Sequence, residues 1–175
     1  MSGAHLRFRT SDTRYGLSID DSLMRRMLSF CKNAVRSETG GILVGRYTKG
    51  RDWAIVSDLS GPPIDSKSDR TSFYRGTKGL QDWLSKLWTS NRGYYLGEWH
   101  YHPFAGPDAS SVDRRQLQEN SEKARLACPE PVMLIVGGDP DHAWHACAYV
   151  HPRGRTLLPM APLPLENGEG HFPYF

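Results

Sequence analysis

Apolar residues recur with a helical period in several stretches of this chain. In residues 18–37 they return at every fourth position, at Leu23, Met27, Cys31 and Val35. This spacing gathers them on one side of a helix, so residues 18–37 are predicted to form an amphipathic helix that packs one face on a core. Similar spacing predicts a helix over residues 78–90, and residues 110–126 also show a helical pattern.

Shorter apolar or aromatic runs, bounded by glycine and proline, predict strands instead of helices. The run that begins at Tyr94 is rich in aromatic residues and stops at Pro103, which cannot donate a hydrogen bond to a neighbouring strand. The predicted strands cover residues 40–47, 53–59, 71–75, 94–102, 131–136 and 143–150. Helices segregate from hairpins along the sequence, and this order favours an α+β fold.

The chain length is typical of one domain. A chain of 175 residues, 38% of them hydrophobic, can bury a core without disulfides or metals to hold it together. The sequence shows no internal repeat, and from Pro152 onward it is rich in proline and is predicted to be irregular. We therefore expect one domain over residues 1–151 and a proline-rich C-terminal tail over residues 152–175.

Charge, hydropathy and cysteine usage narrow the possible functions. With 22 Lys and Arg against 19 Asp and Glu, the net charge of +3 is too small for the concentrated basic face of a nucleic-acid-binding protein. The sequence has no apolar run of about 18 residues and no cleavable leader, so we expect no membrane segment and a cytoplasmic location. The three cysteines form no Cys-x-x-Cys pair, which argues against a disulfide framework and a thiolate zinc site. A nucleophilic cysteine paired with a histidine stays open.

A histidine pair on the aromatic strand is the first candidate for chemistry. His100 and His102 are two residues apart, and strand side chains alternate between faces, so both imidazoles should project to the same side. Asp113 follows eleven residues after His102, beyond a loop whose prolines and glycine can turn the chain back. Two histidines and a carboxylate leave a fourth tetrahedral position for water, which is the pattern of a catalytic zinc site.

Each of these residues also has an ordinary structural interpretation. A His-x-His pair is often a surface feature, and Glu38 alone would be a surface charge. Ser110 with Asp113 resembles the start of a capped helix. Their conjunction favours chemistry, because a histidine pair, a following proline, a Ser-x-x-Asp and a glutamate before a Gly-Gly strand occur together. The capping and catalytic interpretations of Ser110 do not exclude each other.

These residues resemble the JAMM motif of the JAB/MPN metallopeptidases. The matching stretches are ETGGILVG from Glu38, HYHP from His100 and, after six intervening residues, SSVD from Ser110. The resemblance implies a Zn²⁺ site formed by His100, His102 and Asp113. It assigns Glu38 as the general base and Ser110 as a group that helps to hold the oxyanion. It also implies a single cytidine-deaminase-like domain, in which helices flank a mixed β-sheet.

The run LGEWH that begins at Leu96, together with the compact length, resembles the bacterial branch of this family. Members of that branch are small deconjugating peptidases encoded beside E1-like and E2-like enzymes in anti-phage operons. The resemblance therefore implies a deubiquitinase-like isopeptidase that releases the C-terminus of a ubiquitin-like or other conjugated protein from a target lysine. It implies the E1-like and E2-like enzymes of the same operon as partners, and neither nucleic acid nor a membrane is expected.

Two other functions stay open at the level of sequence. One is an MPN scaffold that binds partners without catalysis, although such a scaffold is expected to lack Glu38 or a zinc ligand. The other is a zinc hydrolase that processes a sulfur-carrier precursor or a small amide.

A peptidase that grips an extended tail needs an apolar, partly aromatic groove before the scissile bond. Phe73, Tyr74 and Phe104 lie on segments that flank the motif strand in sequence, and they are the predicted substrate-binding residues. Phe104 is favoured because its loop must run beside the zinc to bring Asp113 back to the strand. Packing in the core is the alternative for all three aromatic residues.

Overall fold

The computed structural model describes residues 5–164, in which ten strands and three α-helices occur. The strands are β1 (His5–Thr10), β2 (Gly16–Asp20), β3 (Thr39–Tyr47), β4 (Trp53–Leu59), β5 (Lys67–Ser68), β6 (Phe73–Tyr74), β7 (Tyr94–Pro103), β8 (Val132–Asp139), β9 (Ala143–Val150) and β10 (Leu158–Pro162). The helices are α1 (Asp21–Ala34), α2 (Leu80–Asn91) and α3 (Ser111–Glu122), and a 3₁₀ turn, Ala124–Leu126, follows α3.

Eight of the strands form one closed sheet. They follow the order β1, β10, β9, β8, β7, β3, β4 and β2, and β2 pairs with β1. The pairs β7–β8 and β2–β4 are parallel, whereas the other pairs are antiparallel. The predicted α+β class with a mixed sheet is confirmed. The sheet differs from the expected one because β1 pairs on both sides and closes it into a barrel.

The barrel interior is the main hydrophobic core. Phe8 of β1 and the two aromatic residues Trp99 and Tyr101 of β7 are completely buried there. α1 adds apolar side chains to the same cluster, including Met24 and Met27. α2 and α3 pack against two smaller clusters on the outside of the sheet. Within residues 5–164, no helix has the length and apolar character needed to cross a membrane.

The first helix is shorter than predicted. β2 occupies its predicted start, because Ser18 pairs with β1 on one side and with β4 on the other. The helix begins after Asp20, whose side chain accepts a hydrogen bond from the Leu23 amide at 2.8 Å, as expected for an N-cap. It ends at Ala34 and not near Ser37. The prediction of a helix from Ser18 is therefore wrong for its first turn.

A strand lies within the predicted C-terminal tail. β10 pairs with β9 on one side and with β1 on the other, and its residue Met160 enters the main core with 5% of its surface exposed. The prediction of an irregular chain from Pro152 onward is wrong for Leu158–Pro162. Prolines are typical of loops, and the partner strand β1 is distant in sequence, so no local pattern indicates this strand. Residues 165–175 of the predicted tail lie outside the described residues.

The other predicted strands are confirmed, with one of them much shortened. The strand predicted over residues 71–75 consists of Phe73–Tyr74, which pairs with Lys67–Ser68 outside the barrel. This β5–β6 hairpin leads directly into the chain before α2. It contributes a separate two-stranded sheet that borders the motif strand β7.

Candidate metal centre and catalytic site

The two predicted histidine ligands share the outer face of β7. Trp99 and Tyr101 of the same strand belong to the barrel core, so the alternation of side chains turns Glu98, His100 and His102 outward. The residue between the two histidines therefore faces away from them, as predicted. α3 and the β5–β6 hairpin cover this outer face, which leaves His100 with 8% of its surface exposed.

A close contact between a loop and a strand brings Asp113 to the histidines. The loop after β7 crosses β8 at Gly137, where an added Cβ would meet the Ala105 carbonyl oxygen at 2.4 Å. α3 then begins, and Asp113 points back to the strand. Its Oδ1 lies 2.7 Å from His100 Nδ1, and its Oδ2 lies 3.6 Å from His102 Nε2. The three predicted ligands are thus brought together.

The donor set suits a divalent metal ion. One ligand atom from each of His100, His102 and Asp113 lies within 4.8 Å of the other two, and no other such group of three occurs in the part of the chain that the structure describes. His102 directs its second nitrogen, Nδ1, to the Gly106 carbonyl oxygen at 3.3 Å. Metal-binding histidines usually have such an outer acceptor. Two imidazoles and one carboxylate fit Zn²⁺ with a position left for water.

Glu38 lies beside this group because β3 pairs with β7. The register places Thr39 opposite the residue between the histidines, so Glu38 stands level with His102. Its amide donates to the Asp69 carbonyl at 2.7 Å, which ties it to the turn of the β5–β6 hairpin. Burial raises the pKa of Glu38. The Asp113 carboxylate raises it further, whereas His102 and His100 lower it, and the net shift is upward. A raised pKa favours proton exchange with water near neutral pH.

Ser110 caps α3 without using its hydroxyl hydrogen in the cap. Its Oγ accepts a hydrogen bond from the Asp113 amide at 3.2 Å, and Asp113 Oδ2 accepts one from the Ser110 amide at 2.8 Å. This capping box fixes Asp113 relative to the helix. Ser110 is exposed at the edge of the ligand group, so its O–H can be donated to another group. Capping and the predicted catalytic role are therefore geometrically compatible.

The predicted substrate-binding aromatics differ in exposure. Phe73 is half-buried and packs edge-on against the His100 ring, with 6.0 Å between ring centroids. Gly40 makes room for this contact, since a Cβ there would meet Phe73 at 2.9 Å and His100 at 3.0 Å. Tyr74 and Phe104 are 72% and 61% exposed. Phe73 thus helps to position His100, whereas the other two present apolar surface to solvent.

Phe104 has a left-handed backbone conformation. Its φ is +57°, and its amide donates to the Gly138 carbonyl at 3.1 Å. A residue other than glycine in this conformation costs about 1 kcal/mol, and such positions cluster at functional sites. Because its side chain is mostly exposed, Phe104 does not pack in the core. Its contact with substrate stays a prediction.

A buried polar network, which was not predicted from the sequence, lies next to His100. Glu98 is 1% exposed, and its Oε1 accepts hydrogen bonds from Arg75 Nη2 and Asn120 Nδ2, each at 2.9 Å. Arg75 directly follows the β5–β6 hairpin, and Asn120 lies on α3. The available signal was the two-residue spacing of Glu98, His100 and His102, which places all three on one strand face.

The charged groups of this site shift one another's pKa values. Burial lowers the pKa of His100, but the neighbouring Asp113 and Glu98 carboxylates outweigh it and raise that pKa to about 9. Burial raises the pKa of the two carboxyls, but His100 lowers the pKa of each to about 2, with help from Arg75 at Glu98. Without bound metal, His100 is therefore an imidazolium between two carboxylates.

We expect the metal-free protein to be most stable between about pH 4.5 and pH 6.5. The pKa of His100 rises from 6.5 to about 9 on folding, so its contribution is complete below pH 6.5 and is lost as the pH rises to 9. The pKa of Glu98 falls from 4.5 to about 2, so its contribution is lost as the pH falls. Denaturant unfolding in the presence of a chelator measures this profile. Constant stability between pH 6.5 and pH 9 would contradict the imidazolium assignment.

Several known proteins resemble this chain. The sequence profile of a family described as prokaryotic homologs of the JAB domain matches residues 20–147. A relative from Enterobacter hormaechei subsp. hoffmannii, named CD-NTase/cGAS isopeptidase, is 38% identical over 154 residues, which cover 88% of this chain and 85% of the relative. A relative from Sinorhizobium fredii, named probable metalloprotease y4qB, is 29% identical over 133 residues, which cover 72% of this chain and 80% of that relative.

A solved structure shares the fold of this chain. It is the solution structure of a protein from Desulfitobacterium hafniense, with a TM-score of 0.55 and 20% sequence identity. The match covers 79% of this chain and 86% of the other. At that identity the likeness shows the fold alone.

Proposed function

The chain belongs to the family of prokaryotic JAB domain homologues, and from this premise we propose that it is a zinc-dependent isopeptidase. The observation that carries the proposal is the grouping of His100, His102 and Asp113 within 4.8 Å of one another, with Glu38 level with it on the neighbouring strand. The names of two relatives, an isopeptidase and a probable metalloprotease, support the same class of reaction.

The side chains of the site suit the proton transfers of amide hydrolysis. A zinc ion held by His100, His102 and Asp113 would supply Lewis acidity, which lowers the pKa of water and polarises a carbonyl. Glu38 takes the proton of the attacking water and returns it to the departing amine, a role to which its raised pKa is suited. The Ser110 hydroxyl donates to the oxyanion. The positive end of the α3 dipole lies at the same place and stabilises negative charge there.

The bond cleaved joins the C-terminus of a conjugated protein to a lysine side chain. Because the Enterobacter relative is named CD-NTase/cGAS isopeptidase, a CD-NTase is the first candidate for the conjugated protein. A ubiquitin-like protein is the second. E1-like and E2-like enzymes would form the bond that this protein breaks, within a bacterial anti-phage operon and in the cytoplasm.

An extended C-terminal tail can bind beside the site. Within residues 5–164, every strand of the barrel pairs on both sides, so none of them offers an open edge to an added strand. Among the described strands, β5 and β6 pair only with each other, and β6 carries Phe73, whose ring packs against that of His100. A tail that pairs with this hairpin would run towards the ligand group. The exposed Phe104 ring would contact the tail from the loop after β7.

We expect Phe104→Ala to raise KM for a tail-bearing substrate about 10-fold, because an apolar contact of aromatic size is lost. kcat, zinc content and Tm should change little, since the side chain is 61% exposed. The measurements are steady-state kinetics, metal analysis and thermal unfolding of the same preparation. Trp88→Ala is the control, because this aromatic residue is 49% exposed but packs against Tyr94 at the other end of β7. A marked fall in Tm with unchanged KM would assign Phe104 to folding instead.

The proposed function is tested with a defined conjugate. The zinc-loaded protein is incubated with a CD-NTase whose C-terminal carboxyl is joined to the lysine ε-amine of a reporter peptide, and with a matching ubiquitin conjugate. Mass spectrometry should show both halves of a conjugate with intact termini, and a chelator should abolish their release. Failure to cleave either conjugate would contradict the proposed function. Cleavage of the ubiquitin conjugate alone would replace the first substrate by the second.

A further inference from the structure

Glu98 is a buried carboxylate that the proposed proton transfers do not use. Its Oε1 accepts hydrogen bonds from Arg75 and Asn120, and the Tyr95 hydroxyl lies 3.5 Å from the same oxygen. Its Oε2 lies 3.6 Å from His100 Nε2. One oxygen of the carboxylate is therefore held by the surrounding protein, while the other is directed to a predicted ligand.

In each predicted histidine ligand, one ring nitrogen faces the ligand group and the other faces an acceptor outside it. His100 has Nδ1 at 2.7 Å from Asp113 Oδ1, and its Nε2 faces Glu98. His102 has Nε2 at 3.6 Å from Asp113 Oδ2, and its Nδ1 faces the Gly106 carbonyl. A metal-binding histidine usually donates its second N–H to such an acceptor, which fixes its tautomer and ring orientation.

We propose that Glu98 is a positioning residue, which receives the Nε2–H of His100 and thereby presents Nδ1 of that ring to the metal. The inference rests on the proposed zinc site, and it adds the identity of the coordinating nitrogen and of the residue that selects it. Two residues from different segments hold Glu98. Arg75 follows the β5–β6 hairpin, and Asn120 lies on α3. With side-chain exposures of 18% for Arg75 and 1% for Glu98, water has little access to replace these contacts.

The coordinating nitrogen can be identified in the wild-type protein. The chain is labelled with ¹⁵N at histidine and loaded with ¹¹³Cd²⁺ in place of zinc, and ¹¹³Cd–¹⁵N couplings are measured by NMR. We expect coupling to Nδ1 of His100, a slowly exchanging proton on its Nε2, and coupling to Nε2 of His102. Coupling to Nε2 of His100 would overturn the inference and leave the zinc site standing. A folded protein that takes up neither Cd²⁺ nor Zn²⁺ would overturn the proposed function together with the inference.

A variant pair separates positioning from folding. Glu98→Gln removes the carboxylate with little change of shape, and it should weaken zinc binding about 10-fold to 100-fold in competition with a chromophoric chelator. Glu130→Gln is the matched control, because Glu130 pairs with Arg51 at 3.0 Å and lies outside the ligand group. Wild-type zinc affinity in a folded Glu98→Gln protein would overturn the positioning role, whatever its Tm. If this variant does not fold, the coupling measured on the wild type decides alone.

Discussion

Replacing Glu38 by glutamine is expected to lower kcat about 10²-fold to 10⁴-fold, the usual cost of removing a general base. Zinc content should stay at that of the wild type, because the group of three ligand side chains does not include Glu38. The half-buried carboxyl can exchange a proton with water, whereas the glutamine amide cannot. Steady-state kinetics and metal analysis on one preparation measure both quantities.

Glu119→Gln provides the comparison for this variant. Glu119 is an exposed residue of α3, so its replacement makes the same chemical change on the protein surface. It should leave kcat and zinc content as they are. A Glu38→Gln protein that cleaves its conjugate at the wild-type rate would show that another group activates the water.

Asp113→Ala is expected to lose both zinc and activity. The Asp113 carboxylate supplies one of three ligand atoms and lies 2.7 Å from His100 Nδ1. Without it, two imidazoles remain, which is one protein ligand fewer than a catalytic zinc site normally has. Zinc per chain after dialysis, measured by elemental analysis, should fall from about one to near zero.

Asp113 also caps α3, so lost stability has to be separated from lost coordination. Ser110→Ala removes the other half of the same capping box, at a cost of about 1 kcal/mol. It should therefore show the fall in Tm that comes from losing the cap alone, and still retain zinc. Full zinc retention in Asp113→Ala would remove this residue from the site.

Local patterns predicted the parts of the fold that are defined by neighbours in sequence. The β8–β9 hairpin and the strand β7 were found because apolar runs are interrupted by glycine and proline. The sequence predicts a helix at Ser18 because its strand partners lie in β1 and β4, and the local sequence around Ser18 does not indicate these pairings. β10 was not predicted because its segment is rich in proline, and such segments are typical of loops. Closure of the barrel depends on pairings between distant segments, which periodicity does not reveal.

The part of the candidate site that depends on strand alternation and helix capping could be predicted from the sequence. Those two rules predicted that His100 and His102 share a face and that Asp113 returns to them through a helix start, and the distances agree with both. Glu98 is on the same face by the same rule. It was overlooked because its partners, Arg75 and Asn120, come from segments that no local pattern connects to β7.

β10, the last described strand of the barrel, pairs with β1, the first one, and Phe8 stands opposite Pro162. A protein cut at residue 151 would retain every predicted ligand but would lack this strand. β1 and β9 would then each expose a row of unpaired amides and carbonyls, which readily pair with other chains. Aggregation, and not loss of the metal ligands, is therefore the hazard that we expect from shortening this chain at residue 151.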